Sequence, residues 1–332
     1  MHGVDPSPAP APTPATTSAV LFNTLFNILV SVIQPRLGAG QPPVLNKRDK
    51  PVDDAGRADA VTDTRGIVHP RSGFDHFVLR RSAPGEVLAP YVERLWCVSW
   101  DLPPGEVFEQ PILAHPAVNV VLQPGRAAVY GPATRLSKQS LRGCGWAVAA
   151  MFRPGGAQPF VGSARHWLDR AEPVAQHWAD GAALVTDVEG VPGRPAEAEP
   201  ARADRLRSFL AERAPTVVPA ETALVTSAAA LIATDRGLCR VEDLSARIGI
   251  GTRSLQRLFA EHVGLSPKQV IRRYRLLEAA EAVSTGGQVS WSELAAELGF
   301  SDQAHLTRDF TAAFGVPPAR YAGATGYRTS PE

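Results

Sequence analysis

The C-terminal part of the chain contains an internal repeat with a period of about 50 residues. Leu244 and Gly249 in the first copy match Leu294 and Gly299 in the second. One extra residue then shifts the offset, and five further residues of the first copy (Leu255, Arg257, Phe259, Gly264, Pro267) match Leu306, Arg308, Phe310, Gly315 and Pro318. Two copies are too few for a solenoid, which needs about three or more. The repeat therefore predicts a duplicated supersecondary unit.

Each copy has the pattern of a helix, a glycine-containing turn and a second helix. In the second copy, residues Ser290 to Glu293 form a capping-box sequence that starts the first helix, and Gly299 ends it in a left-handed conformation. Ser301 or Asp302 is expected to cap the next helix, and Thr252 the corresponding helix of the first copy. The pattern favours a helix-turn-helix, whose second helix can enter the major groove of DNA.

The outward faces of the two second helices carry side chains that suit base recognition. Arginine and glutamine match the edges of guanine and adenine, and Arg253, Gln256 and Arg257 recur at i, i+3 and i+4 on one helix face. The connecting helix adds basic residues next to these faces. The complete set of predicted DNA-binding residues is Thr252, Arg253, Gln256, Arg257, Arg272, Arg273, Gln303, His305, Thr307 and Arg308.

A single helix is predicted between the two copies. Ser266 precedes Pro267, which is typical of a capped start with proline at the first helical position, and about 18 residues span about 27 Å. That length suits two recognition helices one turn of DNA apart, roughly 34 Å. Between Arg253 and Arg275 stand six basic residues and one acidic residue, whereas acids outnumber bases in the second copy. We therefore expect the first unit to supply most of the phosphate attraction.

The composition argues against a globally basic DNA-binding protein but permits a local basic surface. The 332 residues carry a formal net charge of +1, so a histone-like or tail-type binder is not expected. The three cysteines, Cys97, Cys144 and Cys239, stand far apart without a C-x-x-C pair. A disulfide framework or a thiolate zinc site is therefore not expected, and the sequence favours a reducing, cytoplasmic location.

Residues 1–68 are predicted to be a disordered, low-complexity extension outside any packed domain. The run PSPAPAPTPATT cannot build a core. The apolar run at residues 19–33 has about 15 residues, whereas a membrane span needs about 20. No Lys or Arg precedes it as in a secretory signal. An amphipathic helix that docks on a partner or a membrane surface stays open as an alternative.

Residues 69–170 are predicted to form a β-rich sensor domain. Apolar runs such as YVERLWCVSWDL and GWAVAAMFRPGG alternate with Pro- and Gly-containing turns, which favours a sandwich or a barrel. An aromatic-lined barrel interior is a common small-ligand site, and the candidate ligand-binding residues are Trp96, His115, Asn119 and Arg153. Residues 171–222 are predicted as a helical connector and residues 223–328 as the double helix-turn-helix domain. The predicted fold class is therefore α+β multidomain, a β-barrel or sandwich-like domain followed by an all-α bundle.

Residues 238–325 resemble the DNA-binding domain of the AraC/XylS family of transcriptional regulators. The resemblance rests on VEDLSARIGIGTRSLQRLFAEHVGLSPKQVIRRYRLLEAAEAV and SELAAELGFSDQAHLTRDFTAAFGVPPARY. It implies a seven-helix bundle with base contacts from Arg253, Gln256, Arg257, Gln303, His305, Thr307 and Arg308. Ala304 departs from the polar residue often found at its position. More weakly, residues 74–165, with HPAVNVVLQPG and FRPGGA, look like the sensor domain of one branch of these regulators.

The sequence thus predicts a sequence-specific transcriptional regulator that is not an enzyme and uses no cofactor or metal. Its expected partner is double-stranded DNA, and no membrane partner is expected. RNA polymerase, a small-molecule effector and a second copy of the chain (a homodimer) stay open. Two alternatives also stay open: a DNA-alkylation-repair enzyme that uses an AraC-like domain for targeting, and a metabolite-binding protein whose helical bundle serves assembly. Three isolated cysteines argue against the repair enzyme, which would need a zinc and methyl-acceptor cysteine domain.

Overall fold

Eight β-strands in two antiparallel sheets come first in the described chain. The computed structural model describes residues 67–68, 73–284 and 290–324. The strands are β1 (Phe77–Ser82), β2 (Val92–Asp101), β3 (Val107–Ile112), β4 (Asn119–Gln123), β5 (Arg126–Tyr130), β6 (Ser137–Arg142), β7 (Cys144–Phe152) and β8 (Ala171–Pro173). The larger sheet has the order β1-β2-β7-β4-β5-β8, and β3 pairs with β6 in the smaller sheet.

Neither sheet closes into a barrel among the described strands, since β1 and β8 stand at opposite edges of the larger sheet. The prediction of a β-rich domain is confirmed, and its closed-barrel form is wrong. The run YVERLWCVSWDL contains β2, and the run GWAVAAMFRPGG contains β7 apart from its first residue, Cys144. The pair β3 and β6 was missed because β6 (SKQSLR) is mostly polar and β3 contains Pro111, a residue that demotes a strand prediction.

The central strands of the larger sheet bury one face in an apolar core. Leu95 and Cys97 of β2 pair with Ala150 and Val148 of β7, and all four side chains are buried in one core. Strand β7 lies between β2 and β4 and is buried on both faces over residues 145–152. A strand covered on both faces has a nearly continuous apolar sequence, which explains the run GWAVAAMF.

Short helices complete that core. They are α1 (Gln158–Val161), a 3₁₀ turn η1 (Ala164–Trp167), α2 (Val174–His177), α3 (Gly181–Glu189) and α4 (Glu199–Ala211). Leu184 of α3 and Leu206 and Leu210 of α4 are buried in the same cluster as the strands. Much of the segment predicted as a connector, residues 171–222, therefore packs on the sheet. We call the described residues of 67–211 the β part.

Seven α-helices follow within residues 220–324 as far as the structure describes them. They are α5 (Ala220–Thr234), α6 (Val241–Ile248), α7 (Thr252–His262), α8 (Pro267–Ser284), α9 (Trp291–Glu297), α10 (Gln303–Phe314) and α11 (Pro318–Ala324). The predicted helical region with two helix-turn-helix units is confirmed, with α6–α7 as the first unit, α9–α10 as the second and α8 between them. We call these seven helices the bundle. Helix α8 is buried over residues 273–280 because the other helices pack around it.

The β part and the bundle share apolar core residues. Val68 and Leu113 are buried in the same cluster as Leu255 and Phe310 of the bundle, and Ile67 forms a β-bridge with Ile112. The prediction that residues 1–68 lie outside any packed domain is therefore wrong for Ile67 and Val68. The rest of that prediction, including the apolar run at residues 19–33, falls outside the described residues.

Candidate nucleic-acid interface

Helix α7 of the first unit presents a polar outward face. Its apolar residues at helical spacing are buried in the bundle: Leu255, Leu258 and Phe259. Three predicted DNA-binding residues are exposed on the opposite side: Arg253, Gln256 and Arg257. Gly249 (φ 71°) ends α6 in the left-handed region, which glycine tolerates best. The prediction that Thr252 caps α7 is wrong, because Gly251 is the N-cap and Thr252 is the first helical residue, half-buried.

A carboxylate at the start of α5 borders this face. Glu221 Oε1 lies 3.5 Å from Arg257 Nη2, and Glu221 Oε2 lies 3.3 Å from His262 Nε2. The hydrogen bond from His262, with a further contribution from Arg257, lowers the pKa of Glu221 below its ordinary value. Because the Arg257 side chain is 65 % exposed, this contact orients the guanidinium only weakly.

Helix α10 of the second unit also has a polar outward face, and a side chain caps its start. Asp302 Oδ1 accepts a hydrogen bond from the His305 backbone N–H at 2.6 Å, which resolves the predicted choice between Ser301 and Asp302. That bond lowers the pKa of the Asp302 carboxyl below its ordinary value. Arg308 is exposed, Gln303 and Thr307 are half-buried on the same side, and the inward residues are Leu306, Phe310 and Phe314.

A buried carboxylate links α10 to the connecting helix. Asp309 is 7 % exposed, and its Oδ1 forms an ion pair with Arg272 of α8. Its Oδ2 lies 3.5 Å from His305 Nε2, a separation long for a hydrogen bond. His305 Nδ1 also lies 3.1 Å from the Ser301 hydroxyl. Two predicted DNA-binding residues, Arg272 and His305, are therefore positioned by contacts within the protein.

The structure corrects the prediction for Arg273. This residue is 9 % exposed and donates three hydrogen bonds to backbone carbonyls of the β part, so it does not lie on the outward surface. Arg275 is also buried, where it pairs with Glu278. Of the six basic residues between Arg253 and Arg275, four are therefore exposed and available for phosphate attraction: Arg253, Arg257, Lys268 and Arg272.

The four predicted ligand-binding residues all lie in the β part and have different neighbours. Trp96 Nε1 lies 3.4 Å from Asn119 Oδ1, and both are half-buried on the larger sheet. The His115 ring lies instead 6.2 Å from the Tyr274 ring on α8. Arg153 donates to the Ala89 carbonyl at 2.9 Å and pairs with Glu93. The Trp96–Asn119 pair brings two members of the predicted set into contact.

Asp309 and Glu221 are the functional candidates that the sequence prediction missed. The repeat held a signal for Asp309, because the matching position in the first unit is the buried Leu258. An acidic residue at a buried position must have partners. For Glu221 no comparable signal exists in the sequence. Within the described ranges there is no group of three or more potential metal ligands, and no helix long and apolar enough to cross a membrane.

Two family models match the chain. A helix-turn-helix domain matches residues 244–324, which cover the second unit and all but the first three residues of the first. A domain of unknown function (DUF6597) matches residues 80–171, which lie in the β part.

Curated relatives match about a quarter of the chain. MarA of Escherichia coli K12 is 36% identical over 81 residues, 24% of this chain and 63% of MarA. PqrA of Proteus vulgaris is 32% identical over 82 residues, 25% of this chain and 66% of PqrA. ExsA of Pseudomonas aeruginosa is 31% identical over 81 residues, 24% of this chain and 29% of ExsA. The chain thus matches less than two thirds of each relative's length.

Among solved structures, ToxT from Vibrio cholerae O395 aligns with 76% of this chain and 98% of its own, at 12% identity and a TM-score of 0.35. An AraC-type DNA-binding regulator from Chromobacterium violaceum aligns with 31% of this chain and 91% of its own, at 21% identity and a TM-score of 0.29.

Proposed function

We propose that this chain, which carries an AraC-type helix-turn-helix domain in residues 244–324, is a sequence-specific regulator of transcription that binds double-stranded DNA. One observation carries the proposal. Helices α7 and α10 bury matching apolar residues and expose an arginine at the matching outward position, Arg257 in one and Arg308 in the other. A duplicated unit with two such faces suits two consecutive segments of the major groove.

The first unit would supply most of the non-specific affinity. Arg253, Gln256 and Arg257 would enter the groove, where Arg257 exchanges the Glu221 carboxylate for a guanine edge. Lys268 is exposed on α8 and would contact phosphate, as would the exposed part of Arg272. Phosphate contacts release counterions, so they fix the register and make the affinity salt-dependent.

The second unit would supply selectivity for the DNA sequence. Gln303, Thr307 and Arg308 would face the bases, with Arg308 bidentate to guanine. His305 Nδ1 lies 3.1 Å from the Ser301 hydroxyl, and this contact would fix the orientation of the ring beside the bases. Preorganised side chains lose less entropy on binding, which favours selectivity at this end of the site.

We further propose a small-molecule effector at the Trp96–Asn119 pair. A half-buried indole and a neighbouring amide offer stacking and hydrogen bonding to one ligand. RNA polymerase and a second copy of the chain remain proposed partners, and the cytoplasm the proposed location. Quenching of tryptophan fluorescence by a compound, lost in Trp96→Phe, would support the effector site.

A repair enzyme fits the described cysteines less well. Methyl transfer to protein requires a reactive thiolate. Burial raises the pKa of the Cys97 thiol to about 12, and burial also raises the pKa values of Cys144 and Cys239. At neutral pH these three side chains are therefore protonated thiols rather than methyl acceptors.

Selection from random duplex DNA with the full chain tests the proposal. The expected result is enrichment of two sequence blocks with centres about 10 base pairs apart. Absence of any enriched sequence would sink it. Affinity that falls steeply with salt but does not depend on sequence would reduce the protein to a non-specific binder.

A further inference from the structure

We infer that the β part fixes the separation of the two recognition helices, and that Arg273 is the positioning residue through which it does so. The inference rests on the proposed DNA binding and adds a property to it. The full chain should require one spacing between its two DNA blocks, a requirement set by residues that touch neither block.

Arg273 joins the connecting helix to two loops of the β part. Its Nη1 donates to the Ala114 carbonyl at 2.7 Å, and its Nη2 donates to the Ala133 and Thr134 carbonyls at 3.0 and 3.2 Å. A buried guanidinium is stable only when its donors are satisfied. The planar donor fork also fixes the direction of its partners, so α8 has one favoured orientation on the β part.

The carbonyls that Arg273 meets are themselves held in place. Asp169 accepts hydrogen bonds from the Thr134 backbone N–H and hydroxyl at 2.7 and 2.6 Å. Asp169 adopts a left-handed conformation (φ 55°), which is unfavourable for a residue other than glycine. Behind it, Gly131 lies so close to the Trp167 carbonyl that a Cβ would stand 1.7 Å from that oxygen. The loop at residues 131–136 is thus a rigid surface for α8.

Contacts on either side of Arg273 reach both helix-turn-helix units. Gly264, just after α7, approaches η1 so closely that a Cβ would stand 2.6 Å from the Ala164 carbonyl. On the other side, Leu136 lies beside Gly315 at the end of α10 and packs on the bundle core. The β part therefore contacts the end of each recognition helix and the connector between them. Three contacts on one rigid surface restrain the distance between the two ends.

This restraint predicts a strict spacing in DNA. One inserted base pair moves a block by about 3.4 Å and turns it by about 35° around the helix axis. Recognition helices held by the β part cannot follow that shift, so contacts to one block are lost. If only α8 joined the units, bending between them would recover part of those contacts.

The test compares spacing preference in the full chain and in Arg273→Met. The probes are the selected duplex and its derivatives with one base pair added or removed between the blocks. We expect the wild type to lose at least about tenfold in affinity on either derivative, the equivalent of one or more mismatched positions. In Arg273→Met the loss should shrink to about threefold or less, because the units can readjust.

Lys268→Met is the matched control, since Lys268 lies on the same helix but is exposed. It should weaken binding to all probes equally and keep the spacing preference. Leu136→Ala removes a contact near the second unit without a change of charge, and should relax the preference even if Arg273→Met folds poorly. Unchanged preference in both Arg273→Met and Leu136→Ala would overturn the inference. Tighter binding of Arg273→Met to every probe would also overturn it, because the contact would then be inhibitory.

A measurement without DNA separates this inference from the proposed function. Amide hydrogen exchange should rise in Arg273→Met at both helix ends, near Gly264 and near Gly315, and stay unchanged in Lys268→Met. If selection yields no DNA sequence, the proposed function fails, while the exchange data still decide whether the β part restrains both units. Faster exchange confined to residues beside Arg273 would contradict the inference.

Discussion

The two helix-turn-helix units repeat one arrangement of helices around different interiors. At matching positions of their recognition helices, the first unit buries Leu258 and the second buries Asp309. Leu258 packs among apolar residues, whereas Asp309 pairs with Arg272 and approaches His305. Apolar packing fixes the position of α7 independently of the side chains on its exposed face. An ion pair instead ties the orientation of α10 to Arg272, which lies near the proposed DNA-binding face.

Leu258→Ala should have the largest effect on stability. The substitution leaves a cavity in the bundle core, and such changes cost about 2–5 kcal/mol in the free energy of unfolding. Urea denaturation of the full chain measures it. Gln256→Ala, on the exposed side of the same helix, should stay within about 0.5 kcal/mol of the wild type. Equal losses in the two variants would show that α7 is not anchored through Leu258.

Substitutions of Asp309 should affect the stability of the protein and its DNA sequence preference to different extents. Asp309→Ala should lower the free energy of unfolding by about 1–3 kcal/mol, because Arg272 loses its ion-pair partner. Asp309→Leu imitates the first unit and should recover part of that loss, since apolar groups can replace a buried ion pair. It should nevertheless lose preference in the DNA block read by α10. Full preference in a stable Asp309→Leu protein would contradict the positioning role.

Arg308→Ala and Arg257→Ala test the matching outward positions. Each should cost about 1–3 kcal/mol of binding on the selected site and relax the preference at one base pair. The affected base pairs should lie in different blocks. Titration against selected and unrelated duplexes measures both effects. An equal loss on both duplexes would assign that arginine to phosphate rather than to a base.

The side-chain cap of α10 predicts a pH effect that the glycine cap of α7 cannot have. The pKa of Asp302 is lowered mainly by the His305 N–H, so its contribution to stability is present above its ordinary pKa, near 3.8. That contribution is lost as the pH falls through the lower folded value. Asp302→Ala should therefore melt below the wild type at pH 7, and the two melting temperatures should converge under strongly acidic conditions. A constant difference down to the lowest accessible pH would contradict the cap.

Gly251→Ser should give the smallest effect, a gain of a few tenths of a kcal/mol. Gly251 is the N-cap of α7 in an extended conformation, and no heavy atom lies within 4 Å of an added Cβ. A serine there can supply the cap that α10 receives from Asp302. The matched control is Gly249→Ser, where φ is 71° and the substitution should cost about 1–3 kcal/mol. Thermal unfolding distinguishes the expected gain in stability of Gly251→Ser from the expected loss in Gly249→Ser.

Local patterns predicted the bundle well because its helices, caps and turns are encoded within short stretches. Ser290 caps α9 through the Glu293 N–H, and Ser266 and Gln269 cap α8 reciprocally. The burial of Arg273 could not be predicted in this way, since its partners Ala114 and Ala133 lie 159 and 140 residues away in the chain. The strand order of the β part depends on similarly distant pairings. Which arginines reach the surface is therefore a tertiary property.

Block replacement in the selected DNA site tests the central claim most directly. The affinity of the full chain is measured on the selected duplex and on two derivatives, each with one block replaced by unrelated sequence. If both recognition helices read DNA, the affinity should fall on each derivative. Only non-specific affinity should remain once both blocks are replaced. Undiminished affinity after replacement of either block would show that only one unit reads DNA and would contradict the account.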